Sequence, residues 1–281
     1  MVRHIMRGWV TRSIIALLAV TPGFADSVVF LHEGSLYHSI TDGKQPGLFV
    51  YGKSKPKGTS DFLPPKRIGD AVQGLMVAVS DGKMRFASPG CEHTLDVEKG
   101  IVQKRKIQLP LSPPAPCLWT LADYNGDGHT DVIVFSQTTA DAKARISYGR
   151  ADGTYAPPFV LQADGKDFDS SGIRSPHFVN LDDDDDLDLI HLDAQGGMIY
   201  YENSNTNSEP LYAVGRVLPG GTEKTVIDAV CPFDWNADGH TDLIIMTRDG
   251  AIGYLPHRGL YQNGLPIFSA LVSLIASPTS P

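Results

Sequence analysis

Long apolar runs, cysteines and clusters of basic residues are all scarce in this sequence, and each scarcity excludes a class of protein. The 281-residue chain has only three cysteines, Cys91, Cys117 and Cys231, whose spacings match no zinc site. Its formal net charge is −8, and its one basic stretch, residues 53–66, is interrupted by prolines and is typical of a solvated loop. Beyond residue 25, no apolar run reaches the roughly 20 residues of a membrane span. We therefore expect no nucleic-acid partner and no transmembrane segment.

The motifs of common enzyme classes are missing too. The sequence contains no Gly-x-Ser-x-Gly turn for a nucleophile and no glycine-rich phosphate loop. Five histidines show no paired spacing and are interpreted as ordinary surface or strand residues. They are His32, His38, His93, His177 and His191. The sequence thus favours a non-enzymatic role.

The first 25 residues have the three parts of a secretory signal peptide. Arg3, Arg7 and Arg12 supply positive charge, residues 14–20 are apolar, and residues 22–25 end in a small residue suited to cleavage before Asp26. We predict an exported protein, periplasmic, secreted or at the cell surface; an uncleaved N-terminal anchor is the alternative. No cysteine follows the cleavage region, so lipid anchoring is not indicated. In an oxidising compartment one disulfide can form, and sequence distance favours Cys91 with Cys117.

Three acidic loops of nine residues are the strongest feature that is present. They span residues 123–131, 180–188 and 234–242, and each has oxygen-bearing side chains at positions 1, 3, 5 and 9. Alternate residues of a curled loop converge on one point, and Ca²⁺ prefers six to eight oxygen ligands. We predict about three Ca²⁺ sites, with position 7 donating its backbone carbonyl. The expected ligands are Asp123, Asn125, Asp127, His129 and Asp131; Asn180, Asp182, Asp184, Asp186 and Asp188; Asp234, Asn236, Asp238, His240 and Asp242.

The loops have two alternative interpretations. An EF-hand requires Glu at position 12 and flanking helices, but position 12 is Val134, His191 or Ile245 and the flanks are strand-like. A metal-free turn, in which Asp side chains cap backbone amides, explains one such loop. Three copies in register favour metal instead.

Position 6 of the loops separates the middle copy from its neighbours. Gly128 and Gly239 permit a sharp bend there, whereas Asp185 replaces glycine in the middle loop. Aspartate tolerates left-handed backbone better than most residues, so we expect the middle site to be weakened and not lost. His129 and His240 suggest zinc or acid–base chemistry, but a side chain at position 7 is expected to point outward.

Short apolar strands follow the loops at a regular interval. Strands are predicted at residues 132–135, 189–192 and 243–246, and shorter ones after glycine-containing turns at 198–201 and 252–255. Two degenerate copies begin near residues 27 and 75, so the unit recurs every 48 to 57 residues. That period with four strands per unit is typical of propeller blades.

The sequence therefore predicts an all-β protein, a β-propeller of about five four-stranded antiparallel blades. Its expected organisation is a signal peptide at 1–25, a propeller at 26–281 with degenerate repeats at 26–115 and calcium-loop repeats at 116–268, and a closing strand at 269–276. We expect the apolar segment 271–275 to complete the first blade and so close the ring.

Residues 115–257 resemble the FG-GAP/VCBS repeat family of calcium-binding β-propellers. Residues 180–203 and 234–254 carry the resemblance most clearly. It implies calcium in the matching loops, although larger members usually close six to eight blades. The family includes integrin-type adhesion domains, lectins and accessory domains of polysaccharide-degrading enzymes. It therefore implies a binding or adhesion module for a carbohydrate or an extracellular protein. A sugar-processing enzyme such as a polysaccharide lyase, acting in the propeller funnel, and a purely structural surface protein are the alternatives.

Overall fold

The computed structural model describes residues 14–21, 24–32, 35–40, 47–51, 66–69, 75–80, 83–96, 99, 101–113, 116–207, 209–219, 226–236, 238–248 and 251–275. Across these ranges the regular elements are all β-strands. No helix in them is long and apolar enough to cross a membrane. The predicted n-region of the signal peptide lies outside the described residues.

The strands form five main antiparallel sheets and two separate hairpins. Sheet 1 contains β1 (Ile14–Thr21), β2 (Phe24–His32), β3 (Ser35–Ile40), β4 (Gly47–Tyr51) and β5 (Lys66–Gly69). Sheet 2 contains β6 (Leu75–Ser80), β7 (Lys83–Ser88), β8 (Cys91–Asp96) and β9 (Ile101–Lys106). Sheet 3 contains β10 (Cys117–Ala122), β11 (Asp131–Ser136), β12 (Ala144–Ser147) and β13 (Phe159–Val160), and is followed by the hairpin β14 (Gln162–Ala163) and β15 (Lys166–Asp167).

The C-terminal half repeats the same design. Sheet 4 contains β16 (Arg174–Val179), β17 (Asp188–Leu192), β18 (Met198–Tyr201) and β19 (Arg216–Val217). Sheet 5 contains β20 (Ile227–Phe233), β21 (Asp242–Thr247), β22 (Ile252–Leu255) and β25 (Val272–Ile275), with the hairpin β23 (His257–Gln262) and β24 (Leu265–Phe268) inserted before β25.

The sheets are arranged as a β-propeller around the first strands of each sheet. Strand β6 contacts β10, β10 contacts β16, and β16 contacts β20. Strand β1 contacts both β20 and β6, so sheet 1 lies between the last and the second sheet. The predicted all-β propeller is confirmed, with four-stranded blades in sheets 2–5 and a first sheet of five strands.

The burial of each strand follows from its place in a blade. The second strands β11, β17 and β21 are buried along their whole length, because neighbouring blades cover both of their faces. Strand β9, at the outer edge of sheet 2, is mostly exposed, and its sequence Ile-Val-Gln-Lys-Arg-Lys is correspondingly charged. The apolar runs 132–135, 189–192 and 243–246, from which strands were predicted, thus belong to the second strands of their blades.

Apolar side chains fill the space between adjacent blades. Sheets 4 and 5 share a cluster that includes Ile190, Tyr200, Val230, Leu243 and Leu255. Sheets 3 and 4 share a second cluster around Ile133, Phe135 and Leu189. A single blade cannot bury both of its faces, so these shared layers are what make the sheets one folded unit.

The C-terminal strand does not take the place that the sequence predicts. Strand β25 pairs with β22, with Tyr254 opposite Val272 and Ile252 opposite Ile275, and so completes sheet 5 instead of sheet 1. Sheet 1 already has β1 along β2, with Leu17 opposite Val29. Since the β23–β24 hairpin returns the chain beside β22, the nearest free edge belongs to the last blade. Strand β1 coincides with the segment predicted as the signal peptide's apolar core, and export stays a prediction.

The expected pairing of Cys91 with Cys117 is wrong in this structure, where none of the three cysteines forms a disulfide. Cys91 begins β8 in sheet 2, and Cys117 begins β10 in sheet 3. The thiol of Cys117 accepts a hydrogen bond from Nε1 of Trp119 at 3.2 Å. Proximity in sequence did not bring the two thiols together because the chain changes blade between them.

Removing β25 should loosen the last blade specifically. In a chain ending at Ala270, we expect faster amide hydrogen exchange in residues 252–255, which lose their pairing partner, and unchanged exchange in residues 132–135. Hydrogen exchange with mass spectrometry checks this against a control chain ending at Ala276. Faster exchange in sheet 1 instead would mean that the segment completes the first blade.

Candidate functional site

The three acidic loops occupy equivalent places in sheets 3, 4 and 5. Each connects the innermost strand of its blade to the second strand, and its ninth residue begins that second strand. The innermost strands β10, β16 and β20 run in the same direction along the propeller axis. The loops that follow them therefore lie at one end of the propeller. The sequence therefore predicted correctly that strands, and not helices, flank the loops.

A buried aspartate at position 9 ties each loop to its blade. Asp131 is fully buried; one carboxylate oxygen accepts the N–H of Tyr124 at 2.8 Å and the other accepts the N–H of Gly149 at 2.8 Å. The same pair of bonds recurs in the other loops, to Asp188 from Leu181 at 3.1 Å and Asn203 at 2.9 Å, and to Asp242 from Trp235 at 2.9 Å and His257 at 2.7 Å. Each donor pair joins the loop to the segment after the third strand.

The first and third loops satisfy their remaining carboxylates with backbone amides. Asp123 accepts the N–H of Gly128 at 2.9 Å, and Asp127 accepts the N–H of His129 at 2.8 Å. The third loop repeats both bonds, to Asp234 from Gly239 at 3.0 Å and to Asp238 from His240 at 3.0 Å. These bonds hold the pKa of Asp127 and of Asp238 below its usual value. They are also the bonds that the metal-free turn interpretation expects.

The middle loop differs because two of its buried oxygens have no hydrogen-bond partner in the described part of the chain. They are Oδ1 of Asp182 and Oδ1 of Asp186, and Asp186 is only 6% exposed. Leaving a buried carboxylate oxygen unpaired is costly unless a cation compensates it. The side chain of Asp186, at position 7, is buried, whereas the sequence predicted an outward-pointing side chain there. The chemistry of this donor set, with hard oxygens at loop positions 3, 5 and 7, fits Ca²⁺.

Burial raises the pKa of three carboxyls in the middle loop. The pKa of Asp182 rises to about 6, and those of Asp186 and Asp188 rise to about 7. Desolvation is the main cause in each case, and neighbouring carboxylates such as Asp184 add to it. A bound divalent cation would oppose both effects by stabilising the charged form.

The backbone of the middle loop matches that of its neighbours despite the missing glycine. Asp185 has φ of 74°, close to 84° for Gly128 and 94° for Gly239. Asp183 at position 4 has φ of 65°, close to 71° for Gly126. Aspartate therefore adopts the left-handed turn, so the weakening expected at this position is not seen in the backbone. In the described residues, no three acidic, histidine or cysteine side chains gather closely enough to hold a metal without rearrangement.

Residues of the β23–β24 hairpin rest on the second and third loops. Oδ2 of Asp183 lies 3.0 Å from Nδ1 of His240 and accepts the hydroxyl of Tyr261 at 3.0 Å. His257, which is 3% exposed, packs edge-on against His240 with ring centroids 5.4 Å apart. The His240 side chain thus contacts the neighbouring loop and the hairpin. His129 in the first loop is half-buried.

The hairpin was not predicted from the sequence, although its turn was visible. Asn263 and Gly264 have φ of 55° and 69°, the two positive values of a type I′ turn, for which Asn-Gly is the preferred sequence. Arg216 of sheet 4 donates to the carbonyls of both turn residues, at 2.6 and 2.7 Å. The flanking strands are short and only partly apolar, which is why their periodicity gave no signal.

Two cavities lie beside the described blades. The larger, about 620 Å³, is lined by Pro219, Gln262, Asn263, Leu265, Pro266, Ile267, Phe268, Ser269, Ala270 and Leu271. The smaller, about 270 Å³, lies between the segment after β9 and sheet 3 and contains the ion pair of Asp141 with Arg145. The larger cavity has the volume of a small-molecule site, which is typically about 300–1,000 Å³.

A charged cluster marks the other end of the innermost strands. Asp228, near the start of β20, pairs with Arg174 and Arg248, each at 3.1 Å. Arg174 also donates to the carbonyls of Asp193 and Ile227. Its donors are thereby used to join sheets 4 and 5, which is a structural role.

Comparison with known proteins adds distant structural likenesses only. No family model and no curated protein matches the chain. A Photorhabdus luminescens Tc holotoxin pore structure matches with a TM-score of 0.42 and 14% identity over 90% of this chain, which spans only 11% of that protein. An Agrocybe aegerita lectin that recognises non-reducing terminal N-acetylglucosamine matches with a TM-score of 0.41, 18% identity, and coverage of 95% of this chain and 67% of the lectin. A Pseudomonas aeruginosa periplasmic gluconolactonase matches with a TM-score of 0.42, 13% identity, and coverage of 93% and 83%. We base no functional argument on likenesses this distant.

Replacing the position-9 aspartate should destabilise the protein whether or not metal is bound. Asp131→Ala leaves the buried N–H groups of Tyr124 and Gly149 without acceptors, so we expect the free energy of unfolding to fall by about 2–4 kcal/mol. Urea unfolding in EDTA measures it. Asp152→Ala, which removes an exposed aspartate that bonds only Thr154 nearby, is the control and should cost less than about 1 kcal/mol. Equal losses for the two variants would contradict the assigned role.

The raised pKa values predict an unusual pH dependence for the metal-free protein. A carboxyl with a raised folded-state pKa contributes stability below its unfolded value of about 4, and that contribution is lost as pH rises through about 6–7. In EDTA, we therefore expect the melting temperature of the protein to fall, relative to that of the Asp182→Asn/Asp186→Asn variant, between pH 5 and pH 8. Melting curves of both proteins across this pH range measure the difference. A wild-type curve that rises relative to the variant would contradict the prediction.

Proposed function

We propose that this β-propeller is an exported binding module for a carbohydrate or a protein partner, stabilised by calcium in its acidic loops. The observation that carries the proposal is the middle loop, where Asp182 and Asp186 keep buried oxygens without a partner. The resemblance of these loops to the calcium-binding FG-GAP/VCBS repeats supports the same proposal. The three loops have similar backbone turns, but among the described residues the buried loop oxygens without a partner lie in the middle loop and not in the other two.

The residues that would hold calcium in the middle loop are Asn180, Asp182, Asp184, Asp186 and Asp188. The cation would supply positive charge to a buried group of carboxylates, and its role would be structural. Three of these residues have other bonds. Asn180 accepts the N–H of Asp183 at 2.8 Å, Asp184 accepts that of Asp186 at 3.1 Å, and Asp188 accepts those of Leu181 and Asn203. The loop is therefore already curled before a cation arrives.

Calcium in this place would support a binding surface instead of forming one. The loops hold the hairpin β23–β24 through Asp183 and Asp242, whose carboxylates accept bonds from Tyr261 and from the N–H of His257. Fixing the loops would thus fix the hairpin. This arrangement supports a role in recognition, because the hairpin is a surface element carried by the blades.

Calcium should raise the melting temperature of the purified protein. A ligand that binds only the folded state at a hundredfold excess over its Kd adds about 2.7 kcal/mol of stability per site. The measurement is thermal unfolding in Ca²⁺ and in EDTA, with titration calorimetry for the number of sites. Asp182→Asn/Asp186→Asn should lose one site. The control is Asp185→Asn, which changes an exposed residue outside the proposed ligand set and should keep all of them. Superimposable melting curves in Ca²⁺ and EDTA would overturn the proposal.

A further inference from the structure

The larger cavity has a wall chemistry that selects among ligands. Its polar groups in the described chain are the carboxamides of Gln262 and Asn263 and the hydroxyl of Ser269, and none of its lining side chains is charged. The other lining residues are apolar, with the ring of Phe268 among them. A carboxamide both donates and accepts hydrogen bonds, as a hydroxyl does. A ligand with several hydroxyls and an apolar face would be matched on both counts.

The floor of the cavity is rigid because it belongs to the core. Leu265, Phe268 and Leu271 pack against the apolar cluster shared by sheets 4 and 5. Phe268 also lies against His257, with ring centroids 5.2 Å apart. Side chains held in this way do not have to be ordered when a ligand binds, which lowers the entropic cost of binding.

Both ends of the hairpin that forms the wall are fixed. At its base the N–H of Ser269 donates to the carbonyl of Pro256 at 2.7 Å. At its turn Arg216 holds the carbonyls of Asn263 and Gly264, and its guanidinium is itself anchored by Glu202 at 2.7 Å. Since these bonds use the backbone of the turn, the side chains of Gln262 and Asn263 keep their amides available to a ligand.

From this geometry we infer that the cavity between sheet 4 and the β23–β24 hairpin is a binding site for a neutral sugar. The inference rests on the proposed function as a binding module and specifies its ligand class and its place. The smaller cavity does not compete: its volume is about 270 Å³, and the pair of Asp141 with Arg145 already occupies its polar wall. Among the described lining residues no side chain is charged, and the nearby guanidinium of Arg216 is already paired with Glu202 and with two turn carbonyls. This favours neutral sugars over uronates, whose carboxylate pairs best with an available cation.

The test uses the full-length purified protein in Ca²⁺ with defined probes. They are the methyl glycosides of glucose, galactose and mannose and free N-acetylglucosamine, with glucuronate and galacturonate as charged comparisons. Saturation-transfer NMR identifies the bound probe, and calorimetry measures its Kd. We expect binding to at least one neutral probe and none to the uronates.

Two variants locate the site. Gln262→Ala removes one exposed carboxamide and should weaken binding about threefold to tenfold, as expected for the loss of one or two hydrogen bonds. Ala270→Trp fills the cavity from an exposed position and should weaken binding at least tenfold. Gln162→Ala, a change of the same kind in the β14–β15 hairpin, is the matched control and should bind normally. Melting curves for all three confirm that each variant is folded.

The outcomes separate the inference from the function on which it rests. Neutral-sugar binding that survives both Gln262→Ala and Ala270→Trp would place the site elsewhere and overturn the inference, while a binding module would remain. Preference for uronates would overturn the ligand class. Silence with every probe would overturn the sugar assignment, and the calcium melting experiment would then decide the proposed function independently.

Discussion

A buried aspartate that accepts two backbone N–H groups is the interaction on which this propeller's acidic loops depend. Asp131, Asp188 and Asp242 each join the start of a loop to the residue after the third strand of the same blade. The carboxylate thereby replaces the hydrogen bonds that two chain segments lose on leaving the sheet. A buried backbone amide without an acceptor is costly, which explains why a charged residue occupies a fully buried position. The other oxygen-bearing side chains of the loop are not needed for this connection, so their hydrogen bonds can differ between the loops.

That freedom is visible in the contrast between the loops. In the first and third loops the carboxylates accept hydrogen bonds from the loop's own N–H groups, whereas in the middle loop one buried oxygen of Asp182 and one of Asp186 have no partner in the described residues. The same loop uses Asp183 to hold the neighbouring loop and the hairpin. The unpartnered carboxylate oxygens and the attachment of the hairpin therefore lie in one segment. Through its bond to Tyr261, Asp183 thus connects the middle loop to the hairpin that forms the wall of the larger cavity.

The sequence predicts the inner part of the fold well and its outer part poorly. Runs such as Val132–Phe135 and Leu243–Met246 are apolar throughout because they are buried on both faces, and that burial is a local signal. The edge to which a strand attaches is not local: β25 joins β22 because of where the hairpin returns the chain. The strand near residue 75, predicted as a degenerate copy of the strands that follow the acidic loops, also differs from them in position, since β6 begins its sheet whereas β21 is second in its own. The acidic loops were found from spacing alone, but the cavity depends on Arg216 and Asn263, which lie far apart in sequence.

The route of the chain through the last blade has a consequence for how such proteins change. Between β22 and β25 the chain leaves the sheet, forms the hairpin and returns to the edge that it left. The register of the blade is set by strands on either side of the excursion and by the Ser269–Pro256 bond at its base. The turn of the excursion can therefore vary in length and sequence while the ring stays intact, whereas the strands of the hairpin are held by the core contacts of Leu265 and Phe268. Sequence changes can accumulate at that turn, and a designer can graft a foreign segment at the same point.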